Sequence, residues 1–181
     1  MRGMERSTSQ TGTAPPGSVQ DFAWPVRIYY EDTDAGGIVF YANYLKFFER
    51  ARTEWLRACG VDQRRLVEET GVLFVVRSTA LEYRAPARLD DTVMITSRIG
   101  KLGRASVDFE QEAWRGETLL ASGSIRVACV EGATMRPAAI PGSVHDALRR
   151  GPDKAVPTGD VPPEAPAVST AAQFFPLIRR Q

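Results

Sequence analysis

The stretch Asn43–Gly60, NYLKFFERARTEWLRACG, decides the fold of this 181-residue chain. Leu45, Phe48, Arg52, Trp55, Leu56 and Cys59 recur at three- and four-residue steps, and Phe47, Ala51 and Ala58 widen the stripe. That spacing is one broad apolar face of an α-helix. Asn43 reads as its N-cap, and Gly60 as the C′ residue that turns the chain out of it. The helix therefore runs about four turns. A second short helix is predicted over Asp62–Glu69.

On either side the pattern changes to strands. Upstream, Arg27–Glu31 (RIYYE) is β-branched and aromatic and reads as a short strand. Downstream come Leu73–Tyr83, Thr92–Ile99, Ala105–Trp114 and Leu119–Val130, each rich in Val, Ile, Thr or aromatics. GKLGR (100–104) and RGE (115–117) read as hairpin connections. A single long apolar helix can be covered only by the sheet that follows it. The class is α+β, a curved antiparallel sheet wrapped around one long central helix.

Proline marks the limits of this unit. Pro15, Pro16 and Pro25 precede residue 26, eight prolines lie from Pro137 onward, and only Pro86 falls between. The reading is a disordered N-terminal tail over 1–23, one domain over 24–141, and a Pro/Ala-rich, mostly disordered tail over 142–181. The closing AAQFFPLIRRQ is briefly apolar, either a frayed end or a short docking element.

Composition removes several function classes. With 23 Lys+Arg against 22 Asp+Glu the net charge is +1, and the 20 arginines are scattered, so nothing draws the chain to nucleic acid. His145 is the sole imidazole, and neither Cys59 nor Cys129 lies at ligand spacing from it, so no metal site is expected. No secretory leader or membrane-spanning run is visible, and two widely separated cysteines suit a reducing compartment. These features point to a cytoplasmic protein with no integral membrane segment.

The chemistry concentrates in EDTDAGGIVFYAN, residues 31–43, between the first strand and the helix. Asp32 and Asp34 bracket Thr33, and Gly36 and Gly37 permit conformations and close approaches that a side chain would block. A carboxylate just before a helix start has two readings. One is turn and capping chemistry with nearby backbone N–H groups. The other is a reactive carboxylate beside an anion-stabilising helix end.

The blocks WPVRIYYEDTDAGG, FFERARTEWLR, FVVR and EYRAPARLDD, in that order, resemble the hotdog-fold acyl-CoA thioesterases of the 4-hydroxybenzoyl-CoA thioesterase-like superfamily. They are most similar to the branch associated with the Tol-Pal cell-envelope system. The resemblance runs from about Trp24 to Pro141. It implies a hotdog fold and hydrolysis of an acyl-CoA thioester to a carboxylic acid and CoA, with no cofactor beyond the CoA of the substrate. It also implies a homodimer or homotetramer, because one such unit exposes its sheet edge. Acyl carrier protein is a further possible partner.

The family's catalytic aspartate falls on Asp34, as nucleophile or general base. Backbone N–H groups near Tyr41 and Ala42 would form the oxyanion hole, which makes Tyr41 the second catalytic position. Tyr30, Gly37 and Ala42 would line the substrate, and Lys101 and Arg104 could hold CoA phosphates as paired cations. Arg84 and Arg88 are lesser candidates. The Tol-Pal branch usually carries histidine where Tyr41 stands, whereas IVFYANY resembles IVWYPNY of the 4-hydroxybenzoyl-CoA branch. Substrate preference, aliphatic or aryl, is therefore left open, and so is a non-catalytic acyl-CoA or acyl-carrier-protein binding module. Hotdog dehydratases need an active-site histidine that this core lacks. Glu49 matches a helical glutamate used by another thioesterase branch, but its spacing to Arg52 also suits solvated helix pairing. Cys59 reads as packing, and Asp108 and Glu112 as solvent-facing.

Overall fold

In the computed structural model, which describes residues 22–152, five strands form one antiparallel sheet. They are β1 (Phe22–Arg27), β2 (Val72–Tyr83), β3 (Thr92–Leu102), β4 (Ser106–Arg115) and β5 (Thr118–Glu131), in the order β1-β3-β4-β5-β2. Helices α1 (Asn43–Ala58) and α2 (Gln63–Thr70) separate β1 from β2, and α3 (Gly142–Arg150) follows β5. Bulges between Val76 and Ser78, Ile99 and Lys101, and Ala113 and Trp114 interrupt the ladders and increase the local twist that curls a sheet.

Helix α1 lies against that sheet. Tyr44, Phe47, Phe48, Ala51, Arg52, Trp55 and Leu56 are its buried face. The stripe is rotated from the one read in sequence: Leu45 is exposed and Tyr44 replaces it. Gly60 has φ +77 and closes the helix, and Asp62 caps α2 by accepting from the Arg64 and Arg65 N–H groups. The sheet approaches α1 at Gly123. A Cβ there would meet Leu81 Cδ2 at 2.4 Å and Phe48 Cε2 at 3.0 Å, so only glycine fits without displacing packed side chains.

Beside this contact sits a buried polar network. Arg52 Nη1 donates to Gln111 Oε1 at 2.7 Å, and Gln111 Nε2 donates to Phe48 O at 3.0 Å and Ser97 Oγ at 2.8 Å. Burial lowers the guanidinium's proton affinity, partly offset by the nearby Glu49 carboxylate. A cavity of about 100 Å³, open to solvent, lies under the C-terminal half of α1 and is lined by Arg52, Leu56, Phe74, Phe109 and Leu148.

Other sequence expectations are corrected as well. The strand expected over Arg27–Glu31 ends at Arg27, and Tyr30–Asp32 forms a 3-10 turn instead. Asp32 Oδ2 accepts the Tyr29 N–H at 2.9 Å, a local bond that competes with a sheet ladder. Asn43 is not a cap. It is the first residue of α1, Ala42 occupies the cap position, and the Asn43 side chain is turned inward. The expected tail from residue 142 begins with helix α3, whose Val144, Ala147 and Leu148 are buried in the core. Phe22 and Ala23, placed in the N-terminal tail, already belong to β1. The expectations for 1–21 and 153–181, including AAQFFPLIRRQ, lie outside the described residues.

Asp108 and Glu112 are half-buried rather than solvated. Asp108 forms a bidentate pair with Arg126 on β5, both bonds at 2.7 Å, and Glu112 accepts the Trp114 Nε1–H at 3.0 Å. Cys129 packs in the core, where burial pushes its thiol up.

Candidate active site

Between the 3-10 turn and α1 the chain makes a tight excursion that treats its two aspartates differently. Asp32 is buried and spent on structure. Its carboxylate caps Tyr29, and its carbonyl accepts from the Phe40 N–H and from Asn43 Nδ2, both at 2.9 Å. Asn43 thus fastens the start of α1 to the far side of the loop.

Asp34 is exposed at the tip. Its N–H donates to Ile38 O, and its own carbonyl accepts the Gly37 N–H, each at 2.9 Å. Gly37 makes this reversal at φ +70, a conformation that suits glycine. The side chain takes one protein bond: Oδ1 accepts the Gly36 N–H at 2.8 Å. Among the described residues Oδ2 has no protein donor. One oxygen is oriented and the other is available.

From Asp34 the chain returns through the Thr33↔Val39 and Ile38↔Arg88 bridges and reaches α1 at Tyr41 and Ala42. The N–H groups of these two residues donate to no acceptor among the described residues. They lie at the helix start, where unpaired N–H groups and the helix dipole favour negative charge. Around them stands an aromatic cluster. Tyr41 meets Phe40 at 4.6 Å and Tyr83 at 6.3 Å between ring centroids, and Tyr83 meets Tyr44 at 5.7 Å. Burial raises both Tyr83 and Tyr44 from the ordinary tyrosine value, so their hydroxyls keep their protons.

Of the residues singled out in sequence, Asp34, Gly37, Tyr41 and Ala42 share this one loop and helix start. Tyr30 adjoins it through the 3-10 turn, but its side chain is 80% exposed and makes no hydrogen bond among the described residues. Lys101 and Arg104 do not join them. Lys101 lies on β3 opposite Asp108, not in a loop, and Arg104 is in the turn beyond it. The Asp34 loop borders the opposite end of β3, about 30 Å of strand away. Arg88 is the arginine beside the loop, through its bridge to Ile38. Arg84 pairs with Glu82. Glu49 is exposed on α1 and accepts the Thr53 hydroxyl at 2.9 Å. His145 is on α3.

Two contributors escaped sequence reading. Tyr83 donates its hydroxyl to Tyr41 O at 3.1 Å across 42 positions, and Asn43 acts as a clasp rather than a cap. A contact of that sequence separation leaves no local pattern. Asn43 at a helix start is equally compatible with either role.

A long helix packed on a curved five-stranded antiparallel sheet is the arrangement of a hotdog fold. The family model described as the thioesterase superfamily matches residues 36–122. An acyl-CoA thioesterase, YbgC of Haemophilus influenzae, is 45% identical over 127 residues, spanning 70% of this chain and 93% of that protein. The crystal structure of a probable thioesterase from Bartonella henselae is 32% identical with a TM-score of 0.63, covering 67% of this chain and 99% of that one. A gentisyl-coenzyme A thioesterase structure is 28% identical with a TM-score of 0.64, covering 70% of this chain and 98% of that one. The chain belongs to the thioesterase superfamily and is a thioester hydrolase.

Proposed function

We propose that this chain hydrolyses acyl-CoA thioesters to the free acid and CoA, with Asp34 as the reacting carboxylate. The observation that carries this reading is the division of the Asp34 side chain, with Oδ1 held by Gly36 N–H and Oδ2 left open. A thiolate leaves readily, so one carboxylate and a site for the developing oxyanion are sufficient. Oδ2 either attacks the carbonyl carbon to give a mixed anhydride and CoA thiolate, which water then cleaves, or takes a proton from the attacking water. The N–H groups of Tyr41 and Ala42 receive the carbonyl oxygen as it becomes negative. The likeness to the Haemophilus acyl-CoA thioesterase supports the substrate class.

An aryl-CoA substrate is the second reading. Tyr41 and the aromatic rings of Phe40 and Tyr83 beside it favour this reading, as does the likeness to a gentisyl-coenzyme A thioesterase. The working unit in either case is a homodimer or homotetramer, because β2 is an edge strand whose Val76 is 53% exposed. Among the described residues no helix is long and apolar enough to cross a membrane.

The test is thiol release from short aliphatic, long aliphatic and aromatic acyl-CoAs by wild type and Asp34→Asn. Asp34→Asn should lose at least about a hundredfold in kcat on the preferred ester. Equal rates would remove Asp34 from the chemistry. Stabilisation by acyl-CoA with no turnover by either protein would instead identify a binding module.

A further inference from the structure

The two N–H groups at the start of α1 belong to consecutive peptide units, and each unit has its carbonyl oxygen held. Phe40 O, on the peptide that carries the Tyr41 N–H, accepts the Asn43 N–H at 2.9 Å. Tyr41 O, on the peptide that carries the Ala42 N–H, accepts the Tyr83 hydroxyl at 3.1 Å. The first hold is backbone and comes with any such turn. The second is a side chain brought from the end of β2, 42 positions away, and it is the only side-chain hydrogen bond to this peptide among the described residues.

A donor on a peptide oxygen has two effects on the N–H at the other end. It fixes the plane of the peptide, and so the direction in which the N–H points. It also draws electron density toward the oxygen, which makes the N–H a stronger donor. An oxyanion hole depends on both, since its donors act through being aimed in advance. The Tyr83 ring is itself constrained by edge contacts with Tyr41 and Tyr44, and the Tyr44 hydroxyl accepts the Ala87 N–H at 3.2 Å. The hydroxyl is therefore presented from a braced ring and not from a freely rotating one.

We propose that Tyr83 is a positioning residue for thioester hydrolysis, its hydroxyl aiming and polarising the Tyr41–Ala42 peptide whose N–H stabilises the oxyanion. The inference rests on the reading of that N–H as an oxyanion donor. Tyr83 touches the peptide and not the reacting atoms, and no proton is transferred.

The test compares wild type, Tyr83→Phe, Tyr83→Leu and Asp34→Asn on the best acyl-CoA found in the panel. Tyr83→Phe keeps the ring and removes only the hydroxyl. It should lower kcat about tenfold, with KM and the thermal midpoint unchanged. Tyr83→Leu should lose at least as much kcat and also some stability. A Tyr83→Phe enzyme with wild-type kcat overturns the proposal and leaves ring packing as the role. A loss expressed in KM alone also overturns it, since that marks a ground-state substrate contact. If Asp34→Asn is inactive while Tyr83→Phe is fully active, only the positioning role falls. If Asp34→Asn is fully active, the underlying site assignment falls first.

Discussion

Gly36 donates its N–H to Asp34 Oδ1 at 2.8 Å, and a Cβ added to Gly36 would lie 3.0 Å from that same oxygen. The glycine therefore supplies the bond that orients the carboxylate and leaves the room in which it sits. Gly36→Ala is expected to displace Asp34 by a few tenths of an ångström and lower kcat about tenfold, with stability changed by under about 0.5 kcal/mol. Gly37→Ala is the contrast. Its Cβ has open space, but its φ of +70 makes alanine strained, so it should cost about 1–2 kcal/mol of stability. Steady-state kinetics and urea unfolding on both variants check this. Unchanged kcat in Gly36→Ala would separate the glycine from the chemistry.

The Arg52–Gln111 pair should be strongly non-additive. Gln111→Leu strips the buried guanidinium of its 2.7 Å acceptor and also deprives Ser97 and Phe48 O of a donor. It should cost about 1.5–3 kcal/mol or more, because a hydrogen bond to a charged group is lost and the charge stays buried. Adding Arg52→Met removes that charge, so the double variant should be less destabilised than the two single losses summed. Urea midpoints for the four proteins give the coupling. Simple additivity would show that the network contributes through packing alone.

The elements legible in sequence were those specified by local pattern. The 3.6-residue periodicity of Phe48, Arg52, Trp55 and Leu56 placed α1 on the sheet, and Gly60 ended it at φ +77. Asp34 stood out through its glycine loop and a family resemblance, and the structure sets it apart from Asp32 by exposure and bonding. What was not legible depended on distant partners. The RIYYE segment has strand composition, yet the Asp32 carboxylate draws it into a turn. Lys101 and Arg104 read as loop cations near a ligand, but the length of β3 holds them away from Asp34. Tyr83 has no local signature, because its role arises only when β2 returns to the start of α1.

Helix α3 carries a consequence for stability. Its GSVHDALRR sequence is short and follows a proline, but Val144, Ala147 and Leu148 repeat at helical spacing and enter the core. Leu148 is 3% exposed and lines the cavity beneath α1 together with Phe109 and Val127. Leu148→Ala should cost about 2–5 kcal/mol by enlarging that cavity. The urea midpoint measures it. A loss under about 0.5 kcal/mol, the level of an ordinary surface change, would mean that α3 is not part of the folded unit.

The Asp108–Arg126 pair predicts a specific acid dependence. Arg126 Nε and Nη2 bond both carboxylate oxygens of Asp108, and this hydrogen bonding holds the Asp108 carboxyl below its ordinary value of 3.8. A carboxyl depressed in the folded state contributes stability that is present above its unfolded value and is lost as pH falls through the folded one. Wild type should therefore exceed Asp108→Asn in thermal midpoint at pH 6, and the gap should close as pH drops below about 4. The Arg126 side chain is 47% exposed, so the gap at pH 6 should be modest and shrink further in about 1 M salt. Thermal melts of both proteins from neutral pH to the acid limit of folding decide the matter. A gap that stays constant as Asp108 is protonated would show that the asparagine acts through packing rather than through the loss of this charge.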